Sequence, residues 1–141
     1  MTDADKDRVI LARTLCGGAR GEGLAGQIAV AWTIRNRVKD GRAQSWWGES
    51  YAGVCRKSWQ FSCWNKNDPN YAYLSGAKAI PAGQFSRAQK AADMVMSGQA
   101  KDPACAATHY YAITMPKPPV WAKGAKEALR LGHHIFFTDV P

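Results

Sequence analysis

The chain has 141 residues, 46% of them hydrophobic and 21% charged, and its 19 Lys and Arg against 11 Asp and Glu give a net charge of +8. That length suits one domain with one core, and the composition excludes a disordered chain. No run approaches the ~18 apolar residues that span a bilayer, which excludes a transmembrane helix. The positive excess favours an anionic partner: nucleic acid, a phospholipid or lipopolysaccharide surface, or an acidic wall polymer.

The polar, acidic start MTDADKDRV lacks the form of a secretory signal, so accumulation in the cytoplasm is expected. Residues 3–17 read as a first helix. Thr2 with Asp5 forms a candidate capping box, Asp3, Asp5 and Asp7 suit the positive helix start, and Gly17-Gly18 supplies a C-terminal stop. A second helix spans 24–39, with Leu24, Ile28, Ala31 and Val38 on one face. Only ARGEG separates the two, which places Glu22 in a tight corner.

Residues 41–70 form a long irregular stretch holding four of the six tryptophans. Flat rings with a polar tip commonly stack on sugars or bases, although most serve the core. A short helix begins at 71–74, and a clearer one covers 86–97, where Ala88, Ala91, Ala92 and Val95 recur at helical spacing. AATHYYAI (106–113) and HHIFFTDV (133–140) carry the β-branched and aromatic bias of strands and are expected to pair antiparallel. Between them lie the breaker MPKPP and a short basic helix expected at 122–131. The fold class is therefore α+β, mainly helical, in a single domain over 1–141 with a small C-terminal antiparallel β element.

The four cysteines, Cys16, Cys55, Cys63 and Cys105, form no C-x-x-C pair, and His109, His133 and His134 lie far from any paired thiols. No metal site and no cofactor are expected. Cys55 and Cys63 are near enough in sequence for a small disulfide loop, but free, mostly buried thiols suit a cytoplasmic product better. No G-x-S-x-G elbow or P-loop appears, which argues against the hydrolases and nucleotide enzymes built on them. A Cys–His peptidase, with Cys16 or Cys55 meeting His109, is a formal alternative to buried structural cysteine.

Glycosidic cleavage needs a carboxylic acid to protonate the departing oxygen, and a groove of apolar rings makes glutamate a better acid by desolvation. The chain has three glutamates. Glu127 sits among Lys123, Lys126 and Arg130, where an exposed salt bridge is the ordinary reading. Glu49 lies in the aromatic stretch, and Glu22 stands at the start of the second helix, with an ordinary electrostatic reading of its own.

The segment LARTLCGGARGEGLAGQIAVAWTIRNRV resembles the opening motif of the SleB-type cell-wall hydrolases, which include spore cortex-lytic enzymes and many phage endolysins. Ala12, Arg13, Gly17, Ala19 to Glu22, Gly26, Gln27, Ala29 to Ala31 and Asn36 to Val38 fit the family pattern. QFSCW (60–64) resembles its aromatic-Ser element, and HYYA with the later GHHIFF resembles its closing strands.

The resemblance implies a lysozyme-like fold and cleavage of peptidoglycan between N-acetylmuramic acid and N-acetylglucosamine, by a lytic transglycosylase or a muramidase. In the transglycosylase route one glutamate acts as acid and then base, and the muramyl 6-hydroxyl closes an anhydro ring, so no second carboxylate is needed.

The family motif has two glutamates, and the first, expected to be the catalytic one, falls at Gly18; the second is Glu22. The resemblance therefore implies a cleft without its proton donor, in an inactive or weakened enzyme. Losing a general acid typically costs about 10²–10⁴-fold in rate. A deliberate inactivation and natural divergence toward binding both account for Gly18, and a glycine near a helix end needs neither.

Gln60, Phe61 and Ser62 are expected to line the cleft. Trp64, Tyr110 and Tyr111 are candidate sugar-stacking walls, with plain core the competing reading. Asn36 and Arg37 are expected to be buried anchors, and Arg20 is a candidate partner for Glu22. The function expected is that of a phage endolysin, held in the host cytoplasm until a holin opens the membrane. Its partners would be peptidoglycan glycan strands and anionic outer-membrane components rather than nucleic acid, and it would act as a monomer. A non-catalytic basic module that binds cell wall or nucleic acid is the alternative.

Overall fold

The computed structural model describes residues 2–19, 21–39, 50–56 and 61–140. Helix α1, Asp3–Ala19, starts with the expected box: Thr2 Oγ1 accepts the Asp5 N–H at 3.1 Å, and the Asp5 carboxylate accepts the Thr2 N–H at 3.1 Å. It does not stop at Gly17-Gly18 but runs through both to Ala19. Neither glycine has a positive φ. Gly17 serves close packing instead, since a Cβ there would lie 2.8 Å from Leu74 Cδ1 and 2.9 Å from Cys63 Cβ. Tertiary contact thus overrides a helix cost of about 1 kcal/mol per glycine.

Helix α2, Leu24–Lys39, has the predicted bounds. The stretch that looked irregular contains α3, Tyr51–Arg56, and a 3₁₀ turn over Ser62–Trp64, and α4 covers Tyr71–Leu74. Helix α5, Ala82–Met96, begins earlier than the periodicity suggests, directly after Pro81, whose extended backbone (ψ 133°) marks the boundary. Its buried stripe of Ala88, Ala91, Ala92 and Val95 is small-sided, which lets α5 lie close against both α1 and α2. Leu11 and Leu15 of α1, Val30 and Ile34 of α2, Val54 and Leu74 fill the space between them.

The sheet has strands β1, His109–Ala112; β2, Lys126–Leu131; and β3, His134–Thr138, in the antiparallel order β1-β3-β2. The expected pairing of the two strand candidates holds, with Tyr110 opposite Phe136 and Ala112 opposite His134. The expected helix over 122–131 does not. A 3₁₀ turn at Val120–Ala122 leads into β2, which pairs with β3 and is bulged between Glu127 and Leu129.

KEALRL is composed of good helix formers, but propensity is a weak prior beside an available strand edge. Glu127 does pair with Arg130 at 3.0 Å, on a strand rather than a helix. Alternation along β1 and β3 turns Tyr110, His134 and Phe136 toward the helices. Tyr111 and Phe137 turn outward beneath Trp121. Phe136 is fully buried and joins sheet to core.

The four cysteines are thiols, buried at Cys16, Cys55 and Cys63 and exposed at Cys105. Among the described residues no helix is long and apolar enough to cross a membrane, and no cluster of metal-ligating side chains forms.

Candidate active site

The tip of α1 and the inner face of the sheet meet across an open cleft of about 370 Å³. Helix α1 contributes Gly17 and Gly18, α2 contributes Arg37, and the strands contribute Tyr110, Ala112 and His134. Phe61, Cys63, Asp68 and Asn70 close the remaining side. Gly18 is the position at which the resemblance leads one to expect the first glutamate of the motif. A Cβ added there would meet only the Tyr110 hydroxyl, at 3.8 Å, which is ordinary contact. Packing demands a glycine at 17 and makes no such demand at 18.

A carboxyl placed at 18 would sit beside the last carbonyls of α1, the negative end of the helix dipole, and among the rings of Phe61 and Tyr110. Both influences favour the neutral acid. Burial also pushes the Tyr110 phenol well above its ordinary range, keeping it protonated and able to donate. Arg37 opposes these effects. Its guanidinium stacks 5.4 Å from the Phe61 ring, and its Nε donates to the Thr108 carbonyl at 2.6 Å. Burial lowers its pKa to about 10, so it remains a cation at neutral pH. Asn36 donates to Asp102 at 2.9 Å and to the Ala107 carbonyl at 3.0 Å, so the pair anchors α2 to the segment leading into β1, with Arg37 serving the cleft as well.

Glu22 occupies a different position. It is 4% exposed, in the α1–α2 corner, and its Oε1 accepts the His133 backbone N–H at 2.8 Å. The same oxygen lies 3.0 Å from His133 Nδ1 and 3.2 Å from His134 Nδ1. The last approach is at ion-pair distance but off the hydrogen-bond direction, leaving His134 Nδ1 buried with no hydrogen-bond partner.

Two glycines make room for this carboxylate. A Cβ at Gly26 would lie 2.8 Å from Oε2, and one at Gly132 only 1.6 Å from it. Enclosed in this way, Glu22 is not among the residues that line the cleft. It fixes the β2–β3 turn to the α1–α2 corner.

The other expected site residues divide. Phe61 lines the cleft and packs on Tyr110 with ring centroids 6.5 Å apart. Ser62 opens the adjacent 3₁₀ turn. Tyr110 is a cleft wall, but Tyr111 is on the outer face of the sheet, stacked 5.4 Å from Phe137, because neighbouring strand residues point to opposite sides. Trp64 is bound to α1, its Nε1 donating to Thr14 Oγ1 at 2.8 Å beneath the Arg56 guanidinium, and it does not line the cleft. Gln60, Arg20 and Glu49 lie outside the described residues.

The sequence reading missed Asp68, Asn70 and His134. Asp68 Oδ1 accepts the Asn70 N–H at 2.8 Å, a local turn that NDPN signals but whose place in a cleft it does not.

A mainly helical α+β body, with a helix tip and a small antiparallel sheet on either side of one cleft, has a lysozyme-like architecture. The chain belongs to the cell wall hydrolases: the family described as Cell Wall Hydrolase matches residues 21–137, beginning just after Gly18. The catalytic domain of the germination-specific lytic transglycosylase SleB from Bacillus anthracis is similar in fold, with a TM-score of 0.70 and 24% identity over 98% of this chain and 97% of that one. The catalytic domain of the Bacillus cereus SleB protein is similar with a TM-score of 0.71 and 25% identity, over 95% of this chain and 91% of that one. Comparison with curated proteins finds no significant match.

Proposed function

We propose that this chain acts on peptidoglycan glycan strands, at the bond between N-acetylmuramic acid and N-acetylglucosamine, through a proton-transfer site centred on position 18, and that Gly18 leaves it inactive or strongly weakened. Family membership supports a cell-wall substrate, and the likeness in fold to SleB catalytic domains, one of them described as that of a lytic transglycosylase, supports the reaction class. One observation carries the site assignment: position 18 opens into the cleft with room for a side chain, whereas Glu22 is sealed behind Gly26, Gly132 and His133.

The test is a Gly18→Glu protein on purified murein, with Gly18→Gln as a control of the same size that carries no acid. The Glu variant should clear murein at least about 10²-fold faster than either the unmodified chain or the Gln control. Equal rates for all three would remove position 18 from the reaction. Mass spectrometry of the released muropeptides then separates the anhydro ends of a transglycosylase from the reducing ends of a hydrolase.

The biological setting within this proposal is a phage endolysin, stored in the host cytoplasm and released to the wall by a holin. The basic surface, at net +8, supports attraction to anionic envelope components. Lysis by the Gly18→Glu protein only when a holin is co-expressed is the expected outcome; lysis by the protein alone would contradict it. The missing acid also favours a second reading, binding without cleavage, in which the unmodified chain would be retained on sacculi that it does not degrade.

A further inference from the structure

We infer that His134, held in place by Glu22, is the proton acceptor of the cleft and takes the proton from the hydroxyl that attacks the anomeric carbon. The inference rests on the proposed glycan-cleaving reaction and adds to it a base separate from the acid at position 18.

The geometry has three parts. His134 lines the same cleft as Gly18 and Tyr110, with the edge of one ring against the face of the other at 5.1 Å and 82°. Its Nδ1 faces Glu22 Oε1 at 3.2 Å, which leaves Nε2 as the nitrogen not engaged by the carboxylate. The carboxylate is itself locked, by the His133 N–H at 2.8 Å and by the space that Gly26 and Gly132 leave open. A carboxylate close behind an imidazole stabilises, by its charge, the imidazolium that forms when the ring takes a proton. A tie between corner and hairpin needs only the His133 contact. It does not need a second ring turned from the same oxygen toward the cleft.

The groups acting on His134 can be named from every side. Glu22 from the α1–α2 corner favours the charged ring, and His133 from the adjoining turn disfavours it. Tyr110 from β1 is a neutral neighbour, with Arg37 and Asp68 elsewhere on the cleft wall. Burial is the largest influence and lowers the pKa below the ordinary histidine value, so the ring is neutral at neutral pH and free to accept.

The step balances. The attacking O–H, from the muramyl 6-hydroxyl or from water, gives its proton to His134 while its oxygen bonds to the anomeric carbon. The glycosidic C–O bond breaks toward the departing oxygen. That oxygen takes a proton from the carboxyl at 18 in a Gly18→Glu protein, and from water in the unmodified chain.

The test compares Gly18→Glu with Gly18→Glu/His134→Gln and Gly18→Glu/Glu22→Gln, recording murein cleavage against pH and the melting temperature of each. With His134 as base, the Gly18→Glu profile has an acidic limb. His134→Gln should remove that limb and lower kcat about 10²–10⁴-fold with KM little changed. Glu22→Gln should move the limb to lower pH, because the imidazolium loses its counter-charge. The same downward shift should appear in the ¹⁵N titration of the His134 ring, measured without substrate.

An inactive but folded Gly18→Glu protein would refute the proposed reaction itself. An active Gly18→Glu protein whose acidic limb and kcat survive His134→Gln would refute the role of His134 alone. A His134→Gln protein that melts earlier but keeps the limb would assign the residue to structure and overturn the inference.

Discussion

Replacing Gly132 by alanine tests whether the Glu22 clamp is as tight as the geometry requires. Gly132 has φ +59°, and its added Cβ would lie 1.6 Å from Glu22 Oε2 and 2.6 Å from Cδ, so the carboxylate must leave its place. The left-handed backbone alone costs a residue with a Cβ roughly 1–2 kcal/mol. Displacing the carboxylate forfeits a charge-assisted bond from the His133 N–H, worth roughly 1.5–3 kcal/mol. Together these predict a loss of about 2.5–5 kcal/mol.

Gly98 is the matched control, with φ +79° and nothing within 4 Å of an added Cβ, so Gly98→Ala should show the backbone term only. The difference of about 2 kcal/mol corresponds to a melting temperature roughly 8 °C lower for Gly132→Ala than for Gly98→Ala, at about 4 °C per kcal/mol for a domain of this size. Scanning calorimetry of both variants reads it directly. In a Glu22→Ala background the two substitutions should cost the same, since the clash is gone. Equal melting temperatures in the native background would show that the carboxylate is not held against this turn, and the reasoning would fail.

Two further outcomes follow from packing. Gly18→Ala adds a methyl that touches only the Tyr110 hydroxyl at 3.8 Å, so it should raise stability by about 0.5–1 kcal/mol through helix propensity, with no gain in activity. A destabilised Gly18→Ala protein would mean that the glycine is structurally required after all. Burial pushes the Cys55 and Cys63 thiols up to about 12, and Cys16 is buried as well, whereas Cys105 is exposed. Maleimide at pH 8 should therefore add rapidly to Cys105 alone in the native protein and to all four thiols in denaturant, with intact mass as the readout. Rapid double labelling of native protein would contradict the burial.

The amino-acid sequence alone determined the elements whose patterns are local. The α2 bounds and the Thr2–Asp5 box could be read from residue spacing, because each depends on neighbours along the chain, and the β-branched and aromatic bias of HYYA and HIFFT marked two strands that do pair antiparallel. The resemblance singled out Gly18 as the position to examine, and the fold places it on the cleft wall.

Tertiary structure decided the rest, wherever a distant partner outweighed a local preference. Helix α1 continues through Gly17 because Leu74 and Cys63 pack against it, and KEALRL is a strand because β3 offers an edge. Tyr110 enters the cleft and Tyr111 leaves it by the pleat of β1. Glu22 meets His133 and His134 across 111 residues of separation from the first of them, a contact that spacing does not encode. Propensities are worth tenths of a kcal/mol to about 1 kcal/mol per residue, whereas a buried charge or a filled contact is worth several. Long-range packing therefore set the site, and local pattern set the framework around it.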